Sequence, residues 1–592
     1  MLFQMKCLTY KMTALMILVL SITFWQAGGT AAIAADDPAL KMSLNGEILN
    51  LPGSDGLTLK QGTAFIQLSS LMNILEGSLN WDKNTLTASA RYKAKEIQFK
   101  INSDQCVVDG QTIKLGCSAF TSHNRLMVPL RTVCELFGVK LEWDELSQTV
   151  NLDVPGLLKT ERLYEPAIPA RIGFINHGHL FIMDGNQPGS APLLVNQKGE
   201  NQIIGWSADG QWLAYLNSPV RNDYSGGEYI WVVKADGSQN TQIDNHPVFN
   251  NLASSVPKWS PLDNSIAFVA RESIDSYDCI PGVNIASYQD GKWTVRNISA
   301  SDSSDSVSDL AWAPDGQSLA VSIPAQKNKG MRIERLSLSG QSTILLEINK
   351  DAEQEDEAYY LGTYSATSME WSPDGRYLAY YLCPRSASMT CDGTDPQILD
   401  TQSTGAPIDL GCGLAYSDWL SWSPDSKQLA YIEGGGREAF TNKNLVIVDL
   451  HQNKPEIIEC TPSGQVDVQP VWMSDADTLL FCRGAENKQF DYAGNGVMVP
   501  GQRIWQRTAG GEMTAISSGS SDSADYAPTV SDDCRSLIYL HLSEENKGSL
   551  YLRNLNDTNS GSSEGKIVDL SGGSIGYYGN YLPRWFSVYW SL

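Results

Sequence analysis

A short cassette recurs seven times in the last two thirds of the chain. Its clearest copy is WSPDGRYLAY at residues 371–380. The other copies begin at Trp206, Trp259, Trp312, Trp422, Trp472 and Val530. Consecutive copies lie 50 to 59 residues apart, which is about the length that four short strands and their turns fill. Because one four-stranded sheet cannot bury both of its faces alone, this period predicts a row of sheets that stack on one another.

Each cassette begins with the residues of a tight turn and continues as a strand. In the segment Ser372-Pro373-Asp374-Gly375, proline presets φ at the second turn position and glycine occupies the fourth, as type I turns prefer. The next residues, 377–381, alternate between two faces and can pack against both neighbouring sheets. We therefore expect each turn to join the first and second strands of one sheet.

These repeats resemble the WD40-like (PD40) repeats of the TolB family and of the propeller domains in prolyl-oligopeptidase relatives. The match rests on at least five copies of a Trp-Ser/Ala-Pro/Ala-x-Asp/Gly/Ser pattern followed by Leu/Ile-Ala-Tyr/Phe. It implies a mainly β fold, a TolB-like β-propeller, over residues 171–592. It implies no particular activity, because propellers carry many unrelated functions.

The two ends of this region predict how the propeller closes. Residues 171–195 contain three strand-like segments but lack the strand that ends in a cassette tryptophan in the other repeats. Residues 582–585, near the other end, repeat the pattern of residues 256–259, which contain such a tryptophan. Pairing of the last strand with the first sheet would leave no open sheet edge. This arrangement predicts an eight-bladed propeller, with a seven-bladed one as the alternative.

Residues 41–153 form a second unit with an internal duplication. The segment 126–144 has a more divergent copy at 64–82, and their Trp-Asp pairs are 62 residues apart. Each copy predicts a strand, a short amphipathic helix and another strand. The apolar faces of the two helices comprise Leu68, Leu71 and Leu75, and Leu130, Val133 and Phe137. Asp109-Gly110 predicts a hairpin turn between the copies.

The pattern VPLR…FGV…WD in this unit resembles the copper amine oxidase N-terminal-like domain, which is found as a stalk on exported proteins of Gram-positive bacteria. The resemblance implies a small, duplicated α+β stalk domain and an envelope or extracellular setting. It implies neither copper nor a quinone, since this domain in the oxidases is an appendage to the catalytic part. Residues 154–170, which contain three prolines, predict a linker to the propeller.

Residues 1–34 have the organisation of a signal peptide. Lys6 and Lys11 precede an apolar stretch at 13–25, and Ala32-Ile33-Ala34 matches a small-residue cleavage site. The apolar stretch is shorter than the roughly 20 residues that span a membrane. We expect a secreted or cell-surface protein of a Gram-positive-like bacterium, with no membrane span beyond this leader. An uncleaved leader that anchors the protein is the alternative.

The charge balance is strongly acidic. The chain has 67 Asp and Glu against 43 Lys and Arg, a formal net charge of −24, and it has no basic run. Because nucleic acids and anionic membranes attract clustered positive charge, neither is an expected partner.

Three motifs imitate catalytic or metal sites without their context. His177-Gly178-His179 has the spacing of a copper pair but is expected to be a strand-turn segment. Gly572–Gly576 fits G-x-S-x-G, yet no histidine follows His541, so a serine triad in the usual order is not expected. The acidic run at 351–357 lacks the order of a calcium loop. We therefore expect no catalytic residue, metal or cofactor from these motifs.

Ten cysteines follow the leader. Cys383 and Cys391 bracket a polar loop and are the best candidates for a disulfide. Cys106 and Cys117 flank the Asp109-Gly110 hairpin but are out of register, because Cys106 would face Ile113. The chain has no C-x-x-C pair, so neither a zinc site nor thioredoxin-like chemistry is predicted.

The connections between the second and third strands of the blades are long and rich in aromatic and charged residues. If the cassette turns occupy one rim of the propeller, these connections occupy the other. The candidate binding residues in them are Arg221, Tyr224, Tyr277, Arg437, Phe440, Phe490 and Tyr492. Loops on a rigid scaffold commonly carry recognition, and Tyr, Phe and Arg are effective anchors.

Two classes of function follow from this pattern. The first is an exported, non-catalytic binding or scaffold protein of the cell envelope, whose rim recognises a protein, peptide or glycan. The second is a lyase-type or hydrolase-type enzyme with its site in the central channel. The channel lining distinguishes them: convergent buried carboxylates or histidines with shifted pKa favour the enzyme, and a wide water-filled channel favours the binder.

Overall fold

The chain is described by a computed structural model covering residues 41–44, 47–49, 57–60, 62–75, 77–82, 85–93, 95–122, 125–144, 148–154, 160–196, 200–218, 228–249, 257–274, 276, 278–326, 329–348, 363–386, 391–452, 454–488, 498–556, 564–571 and 584–591. These residues form two compact units that meet in sequence between Lys159 and Thr160. The predicted signal peptide lies outside the described residues. No helix among the described residues is long and apolar enough to cross a membrane.

The N-terminal unit contains thirteen strands and two helices among its described residues. The strands are β1 Lys41–Leu44, β2 Glu47–Leu49, β3 Leu57–Lys60, β4 Thr63–Gln67, β5 Ser78–Asp82, β6 Thr87–Tyr92, β7 Lys95–Lys100, β8 Gln105–Val108, β9 Gln111–Lys114, β10 Phe120–Ser122, β11 Arg125–Pro129, β12 Lys140–Asp144 and β13 Thr149–Asp153. The helices are α1 Leu68–Ile74 and α2 Leu130–Phe137. They follow β4 and β11, and these two strands pair antiparallel, so the duplicated copies meet directly.

The apolar positions predicted for the two helices are all buried in one core. Helix α2 ends at Gly138, whose φ of 77° is the left-handed conformation that favours glycine. The predicted hairpin is present as β8 and β9, in which Cys106 is the register partner of Ile113. The predicted strand–helix–strand order of both copies and the hairpin between them are therefore confirmed.

The second unit is a β-propeller, which confirms the predicted fold class. Among the described residues its strands form eight four-stranded sheets, here called blades and numbered along the chain. Blade 1 contains β14 Ala170–Asn176, β15 His179–Asp184, β16 Leu193–Asn196 and β45 Phe586–Trp590; blade 2 contains β17 Glu200–Trp206, β18 Trp212–Ser218, β19 Tyr229–Lys234 and β20 Thr241–Gln242; blade 3 contains β21 Lys258–Trp259, β22 Ser265–Phe268, β23 Val283–Gln289 and β24 Lys292–Ile298; blade 4 contains β25 Asp309–Trp312, β26 Ser318–Ile323, β27 Met331–Ser337 and β28 Ser342–Ile348.

The remaining blades follow the same order. Blade 5 contains β29 Thr363–Trp371, β30 Tyr377–Pro384, β31 Asp395–Asp400 and β32 Ile408–Asp409; blade 6 contains β33 Leu420–Trp422, β34 Gln428–Glu433, β35 Asn444–Asp449 and β36 Glu456–Glu459; blade 7 contains β37 Gln465–Trp472, β38 Leu479–Ala485, β39 Arg503–Arg507 and β40 Met513–Ala515; blade 8 contains β41 Ala524–Val530, β42 Ser536–Glu544, β43 Lys547–Asn554 and β44 Glu564–Ser571. A short 3₁₀ helix, Ser417–Trp419, precedes blade 6.

The C-terminal strand completes blade 1. Strand β45 pairs antiparallel with β14, placing Val588 opposite Ile172. The sequence pattern pointed to residues 582–585 for this strand, whereas the pairing begins at Phe586. Trp585 precedes it as a buried residue, and its carbonyl accepts a hydrogen bond of 2.7 Å from the Ile175 N–H. The strand therefore follows the tryptophan, while the predicted closure of the first blade by the last strand is present.

The tryptophans that begin the cassettes, here called the anchor tryptophans, join neighbouring blades. Five of the six anchor tryptophans donate the indole N–H to a carbonyl of the preceding blade's innermost strand, usually that of the residue just before that blade's own tryptophan, whereas the Trp472 indole N–H is buried without a partner in the described part of the chain. The bonds are Trp206 to Ser587 (3.2 Å), Trp259 to Gly205 (2.9 Å), Trp312 to Lys258 (2.9 Å), Trp371 to Ala311 (3.3 Å) and Trp422 to Glu370 (3.3 Å). The first of them crosses the junction between the two ends of the propeller. The repeated tryptophan thus ties each of blades 2 to 6 to the blade before it.

Six of the seven cassette turns have the expected backbone hydrogen bond from the fourth residue to the first; in blade 3 the Asp263 N–H donates to the Ser260 hydroxyl instead. In blade 5 the Gly375 N–H donates to the Ser372 carbonyl at 2.8 Å, and Gly375 has a φ of 70°. Blade 7 forms the same turn with Ala476 at the fourth position, where φ is 60°. An alanine there has a strained left-handed backbone, whereas a glycine does not.

This difference predicts opposite effects of two substitutions. Ala476→Gly is expected to raise the free energy of unfolding by up to about 1 kcal/mol, because relief of backbone strain exceeds the added entropy of the unfolded chain. Gly375→Ala is expected to lower it by about 1 kcal/mol, since a Cβ there meets nothing closer than Pro314 Cδ at 3.7 Å and only the backbone conformation is strained. Chemical denaturation measures both free energies of unfolding. If both variants were more stable than the parent protein, or both less stable, the explanation would be contradicted.

Part of the predicted linker packs onto the propeller. Arg162 is buried, and its guanidinium donates to the carbonyls of Tyr164, Pro166, Gly185 and Gln187 at 2.5–3.4 Å. The Leu163 N–H also donates to the Ile567 carbonyl at 2.7 Å. From Thr160 onward this segment is therefore part of the propeller unit rather than a spacer, because one arginine satisfies the carbonyls of its irregular backbone.

Candidate functional site

Five charged residues from different parts of the ring lie close to its centre, where the innermost strands are. Each lies on an innermost strand or directly before one. They are Lys258 (blade 3), Asp309 (blade 4), Glu370 (blade 5), Asp418 (before blade 6) and Arg584 (before β45), and we call them the channel cluster. The Lys258–Met369 hydrogen bond and the effect of the Arg584 charge on Asp418 pass between blades that are not neighbours, so we infer that these side chains converge.

One half of the cluster is centred on Lys258. Its ammonium donates to the Met369 carbonyl at 3.3 Å, which links blade 3 to blade 5 past the intervening blade. The Met369 N–H in turn donates to Asp309 Oδ2 at 3.3 Å, and Asp309 is fully buried. The positive charge of Lys258 also acts on both Asp309 and Glu370. One cation therefore faces two carboxyl groups.

The other half is centred on Asp418. Gln469 of blade 7 donates from its amide to Asp418 Oδ2 at 3.0 Å, and its Oε1 accepts from the Ala527 N–H of blade 8 at 2.8 Å. Arg584 donates to the Ile204 carbonyl at 2.8 Å, and its charge favours ionised Asp418. Asp418 therefore interacts with side chains from two other parts of the ring.

Three innermost strands carry β-bulges beside this cluster. The strand register shifts between Thr367 and Glu370, between Val468 and Val471, and between Tyr526 and Thr529. Within these bulges, positive φ values occur at Ser368 (49°), Gln469 (54°) and Ala527 (52°). Bulges and strained non-glycine residues occur preferentially at functional sites, where they redirect side chains.

Several polar atoms near the cluster are buried and have no hydrogen-bond partner in the described part of the chain. They are the Tyr381 hydroxyl, Thr367 Oγ1 and Asp418 Oδ1. Tyr381 is 0% exposed and lies opposite Thr367 in the strand pairing. The charges of Glu370 and Asp418 both act on the Tyr381 hydroxyl. Because buried polar groups normally have partners, these unpartnered atoms cost stability in the packing beside the cluster.

Burial raises the pKa of all three carboxyl groups in the channel cluster. It outweighs the opposing effect of Lys258 at Asp309 and Glu370, and raises the pKa of Glu370 to about 7. At Asp418, burial outweighs the hydrogen bond from Gln469 and the charge of Arg584. A carboxyl group that titrates near neutral pH can both donate and accept a proton.

The raised pKa predicts how stability depends on pH. Between the ordinary glutamate pKa of 4.5 and about 7, folded Glu370 holds its proton more tightly than the unfolded chain does. Its contribution to stability is therefore fully present below pH 4.5 and is lost as the pH rises through about 7. The side chain in Glu370→Gln cannot ionise. We therefore expect the thermal unfolding midpoint of this variant to fall less between pH 4.5 and pH 7 than the midpoint of the parent protein. Parallel pH dependences in thermal unfolding would contradict this prediction.

Two of the seven predicted rim residues, Arg437 and Phe440, lie in the described part of the chain. Arg221, Tyr224, Tyr277, Phe490 and Tyr492 lie outside the described residues. Arg437 pairs with Asp392 through Nε at 2.7 Å, and Phe440 is only 5% exposed because it packs with Val466 and Val499. As placed, Phe440 is a core residue and Arg437 holds a loop of the neighbouring blade.

Near these residues lies a buried lysine that the sequence did not single out. Lys443 donates from its ammonium nitrogen to the carbonyls of Gly435 and Thr441 at 2.9 and 3.1 Å. Burial lowers the pKa of Lys443 to about 7, although nearby Glu438 opposes this shift. Its contacts are with the loop that contains it, so its structural role is to hold that loop.

The predicted disulfide between Cys383 and Cys391 is not formed. Cys383 lies on β30 and is packed in the core with Tyr381 and Leu410. Cys391 lies in another environment, in which the charges of Arg437 and Asp392 act on it. The two residues bracket a loop in sequence, but their side chains belong to different surroundings.

The histidine pair occupies the turn between the first two described strands of blade 1. His177 has a φ of 54°, and the His177 N–H donates to the Ser571 carbonyl at 2.8 Å. Burial lowers the pKa of His177 to about 4, with a further contribution from His179. In the part of the chain that the structure describes, no group of three His, Cys, Asp or Glu side chains is arranged to hold a metal ion.

The channel cluster was missed at the sequence level, although a signal for it exists. Lys258 and Glu370 each stand immediately before an anchor tryptophan, a position that Gly205 and Ala311 occupy in other copies. A charged residue at that position of an otherwise apolar innermost strand marks a side chain near the channel. The bulges and the contacts across the ring could not be recognised from the repeats.

A model of the family described as "Copper amine oxidase N-terminal domain" matches residues 44–152. No curated protein matches the chain. Similar solved structures include TolB from Acinetobacter baumannii, with 16% identity over 66% of this chain and 84% of that one and a TM-score of 0.29. Dipeptidyl peptidase 4 of Porphyromonas gingivalis has 10% identity over 69% of this chain and 60% of that one, with a TM-score of 0.43.

A puromycin-hydrolyzing peptidase of Mycobacterium tuberculosis has 14% identity over 62% of this chain, with a TM-score of 0.39. The match spans about half of the peptidase, 53% of its length. At these identities and TM-scores, the likenesses indicate no activity, substrate or partner. The chain thus contains a segment at residues 44–152 that matches the copper amine oxidase N-terminal domain, followed by a β-propeller.

Proposed function

We propose that this protein is an extracytoplasmic binding protein of the cell envelope and that its ligand binds in the central channel of the propeller. The observation that carries this proposal is the convergence of Lys258, Asp309, Glu370, Asp418 and Arg584 from separate blades. The signal-peptide pattern and the stalk-like N-terminal domain support an envelope setting. The ligand class is that expected from the sequence, a protein, peptide or glycan, of which a small polar part enters the channel.

The channel has the chemistry of a recognition site. Binding sites commonly combine a concave position with a few convergent polar groups and perturbed pKa values. Here two carboxyl groups, Glu370 and Asp418, lie near the unpartnered Tyr381 hydroxyl, and two cations lie beside them. Placing these groups together in the channel costs stability, which a bound ligand would offset by completing their hydrogen bonds.

The alternative function is an enzyme of lyase or hydrolase type that uses the same channel. The specific observation in its favour is Glu370, because a carboxyl group with a pKa of about 7 suits general acid and base catalysis. The criterion stated from the sequence, convergent carboxylates with shifted pKa, also favours this alternative. The channel, rather than the rim, is therefore the site that both candidates share.

Recognition by the rim loops stays a prediction from the sequence. Its residues Tyr224, Tyr277, Phe490 and Tyr492 serve as a comparison set in the experiment below. If alanine substitutions at these four positions remove binding while channel substitutions do not, the rim hypothesis replaces the channel proposal.

The test is ligand capture from solubilised envelope fractions by the protein without residues 1–34. Glu370→Gln combined with Asp418→Asn is expected to reduce capture at least tenfold, because it alters the paired carboxyl groups with little change in volume. A matched control is Glu544→Gln, whose carboxylate is 62% exposed and far from the channel in sequence and fold. Equal capture by the channel double variant and the parent would contradict the proposal.

The captured ligand then separates binding from catalysis. Incubation with the parent protein and analysis by mass spectrometry shows whether the ligand is converted. An enzyme is expected to convert it and to lose conversion in Glu370→Gln while retaining measurable binding. Recovery of an unchanged ligand after prolonged incubation supports the binding protein and contradicts the enzyme.

A further inference from the structure

The N-terminal unit contains a groove of its own. The groove has a volume of about 430 Å³, which is within the range of ligand-binding pockets. Its walls come from two different sheets: Leu79 and Trp81 belong to β5, whereas Thr121 belongs to β10 and Arg125 to β11. All of its described lining residues lie within the N-terminal unit, so the groove is a cleft between two sheets of one compact body.

One wall of the groove is apolar and accessible. Leu79 and Trp81 are 40% and 39% exposed. As residues two apart in a strand, they lie on the same face of the sheet. Ala88 of β6, the register partner of Trp81, continues this wall. Contiguous apolar surface that a folded protein leaves exposed commonly marks an interaction site.

Each of the two sheets contributes an edge strand to the groove. Strand β5 ends the sheet order β5-β6-β7-β8-β9, and β10 ends the order β10-β11-β4-β3. All five residues of β5 are exposed. Lysine, proline and bulges usually protect an edge strand from pairing with another chain, but β5 has the sequence SLNWD and pairs with β6 without a register shift. An unprotected edge of this kind is suited to accept a further strand.

The groove carries a positive charge at Arg125. No other charged residue is among its described lining residues, and no carboxylate pairs with Arg125 in the described part of the chain. With its amide oriented to suit its neighbours, Gln67 accepts hydrogen bonds from Arg125 Nη1 at 2.6 Å and Nε at 3.1 Å. Because this partner is neutral, the charge of Arg125 remains available to a carboxylate, which a guanidinium binds with matching geometry.

We propose that the groove binds an extended peptide, which adds to the outer edge of β5 as a further strand, places an apolar side chain against Leu79 and Trp81, and pairs a carboxylate with Arg125. Main-chain hydrogen bonds to β5 supply affinity, and the two side-chain contacts supply specificity. A glycan could stack on Trp81 but would leave the edge of β5 without a partner strand, so the peptide fits the groove better. This site is independent of the propeller channel, and either can fail without the other.

The experiment measures fluorescence polarisation of dye-labelled probes with the protein without residues 1–34. The main probe is the peptide Thr-Leu-Thr-Glu-Thr-Leu with a blocked carboxyl terminus, in which leucine and glutamate share one face of a strand. The matched probes are the same peptide with glutamine in place of glutamate, a version N-methylated at every peptide bond, and a tetramer of N-acetylglucosamine. The glutamate peptide is expected to bind about tenfold more tightly than the glutamine peptide, because the charged hydrogen bond is lost. The N-methylated peptide, which cannot donate main-chain hydrogen bonds, is expected to bind more weakly still.

Three variants assign the binding to the groove. Trp81→Ala is expected to weaken binding of the glutamate peptide about tenfold or more, and Arg125→Gln is expected to remove the preference for glutamate over glutamine. Trp143→Ala is the matched control. Trp143 occupies the corresponding position in the other duplicated copy, is 41% exposed and does not line the groove, so its removal is expected to leave binding unchanged. Unchanged thermal unfolding midpoints show that the variants are folded.

Four results would overturn the proposal. They are failure of the glutamate peptide to bind, equal binding of the N-methylated peptide, equal effects of Trp81→Ala and Trp143→Ala, and tighter binding of the N-acetylglucosamine tetramer than of any peptide. Sedimentation velocity adds a fifth: a dimer that Trp81→Ala dissociates would show that β5 pairs with a second copy of the chain instead. Capture of the envelope ligand by the channel variants tests the proposed function separately.

Discussion

Deletion of Phe586–Leu592 is expected to abolish the cooperative unfolding of the propeller. This segment contains β45, whose removal leaves one edge of β14 unpaired, while the other edge still pairs with β15. It also removes the Ser587 carbonyl that accepts the Trp206 indole N–H. The apolar side chains of the strand contribute roughly 5 kcal/mol by burial, which is comparable with the net stability of a typical domain.

Circular dichroism during heating and size-exclusion chromatography measure this effect. The truncated protein is expected to lose its sharp transition and to associate through the uncovered strand edge. Deletion of Ser591-Leu592 alone is the matched control, because it leaves all register pairs of β45 with β14 in place. A truncated protein that stays monomeric and unfolds at the parent temperature would show that the first blade does not depend on the last strand.

A second large effect is expected at the buried ion pair of blade 7. Arg483 donates from Nε and Nη2 to both oxygens of Asp467 at 2.7 Å, and both side chains are almost completely buried. Nη2 also donates to the Cys460 carbonyl at 3.0 Å. Arg483→Met is expected to lower the free energy of unfolding by about 3–5 kcal/mol, because Asp467 remains buried without its cation.

The partner substitution tests the cause. Arg483→Met with Asp467→Leu is expected to be less destabilised than Arg483→Met alone, since no isolated charge remains. The control is Lys547→Met, which removes an exposed pair with Glu544 and is expected to cost less than about 1 kcal/mol. If the double variant is as unstable as the single one, lost packing of the arginine explains the effect instead.

The propeller could be predicted from the sequence because each repeat carries a local signal and this signal recurs along the chain. The turn at 372–375 and the strand after it are determined by proline, glycine and the alternation of side chains, and the structure has both. The repeated tryptophans are evident in the sequence, but the indole hydrogen bonds that five of them make to the preceding blade depend on the stacking of the blades. The same holds for the bulges at Ser368, Gln469 and Ala527, since no local residue preference marks them.

The channel cluster was out of reach for a similar reason. Lys258 and Asp418 are far apart in sequence, and only the closed ring brings them to one channel. Phe440 was predicted as a surface anchor because it is an aromatic residue in a polar loop. In the structure Phe440 packs against Val466 and Val499. Tertiary packing decides which aromatic side chains of a loop are exposed, and the sequence of the loop does not contain that information.

The most direct test of the channel as the binding site is a crystal structure of the propeller with the captured envelope ligand. The account expects ligand density inside the ring of innermost strands, within hydrogen-bond distance of Glu370 and Asp418. Ligand density confined to the rim loops, with these two carboxyl groups contacted only by water, would contradict it.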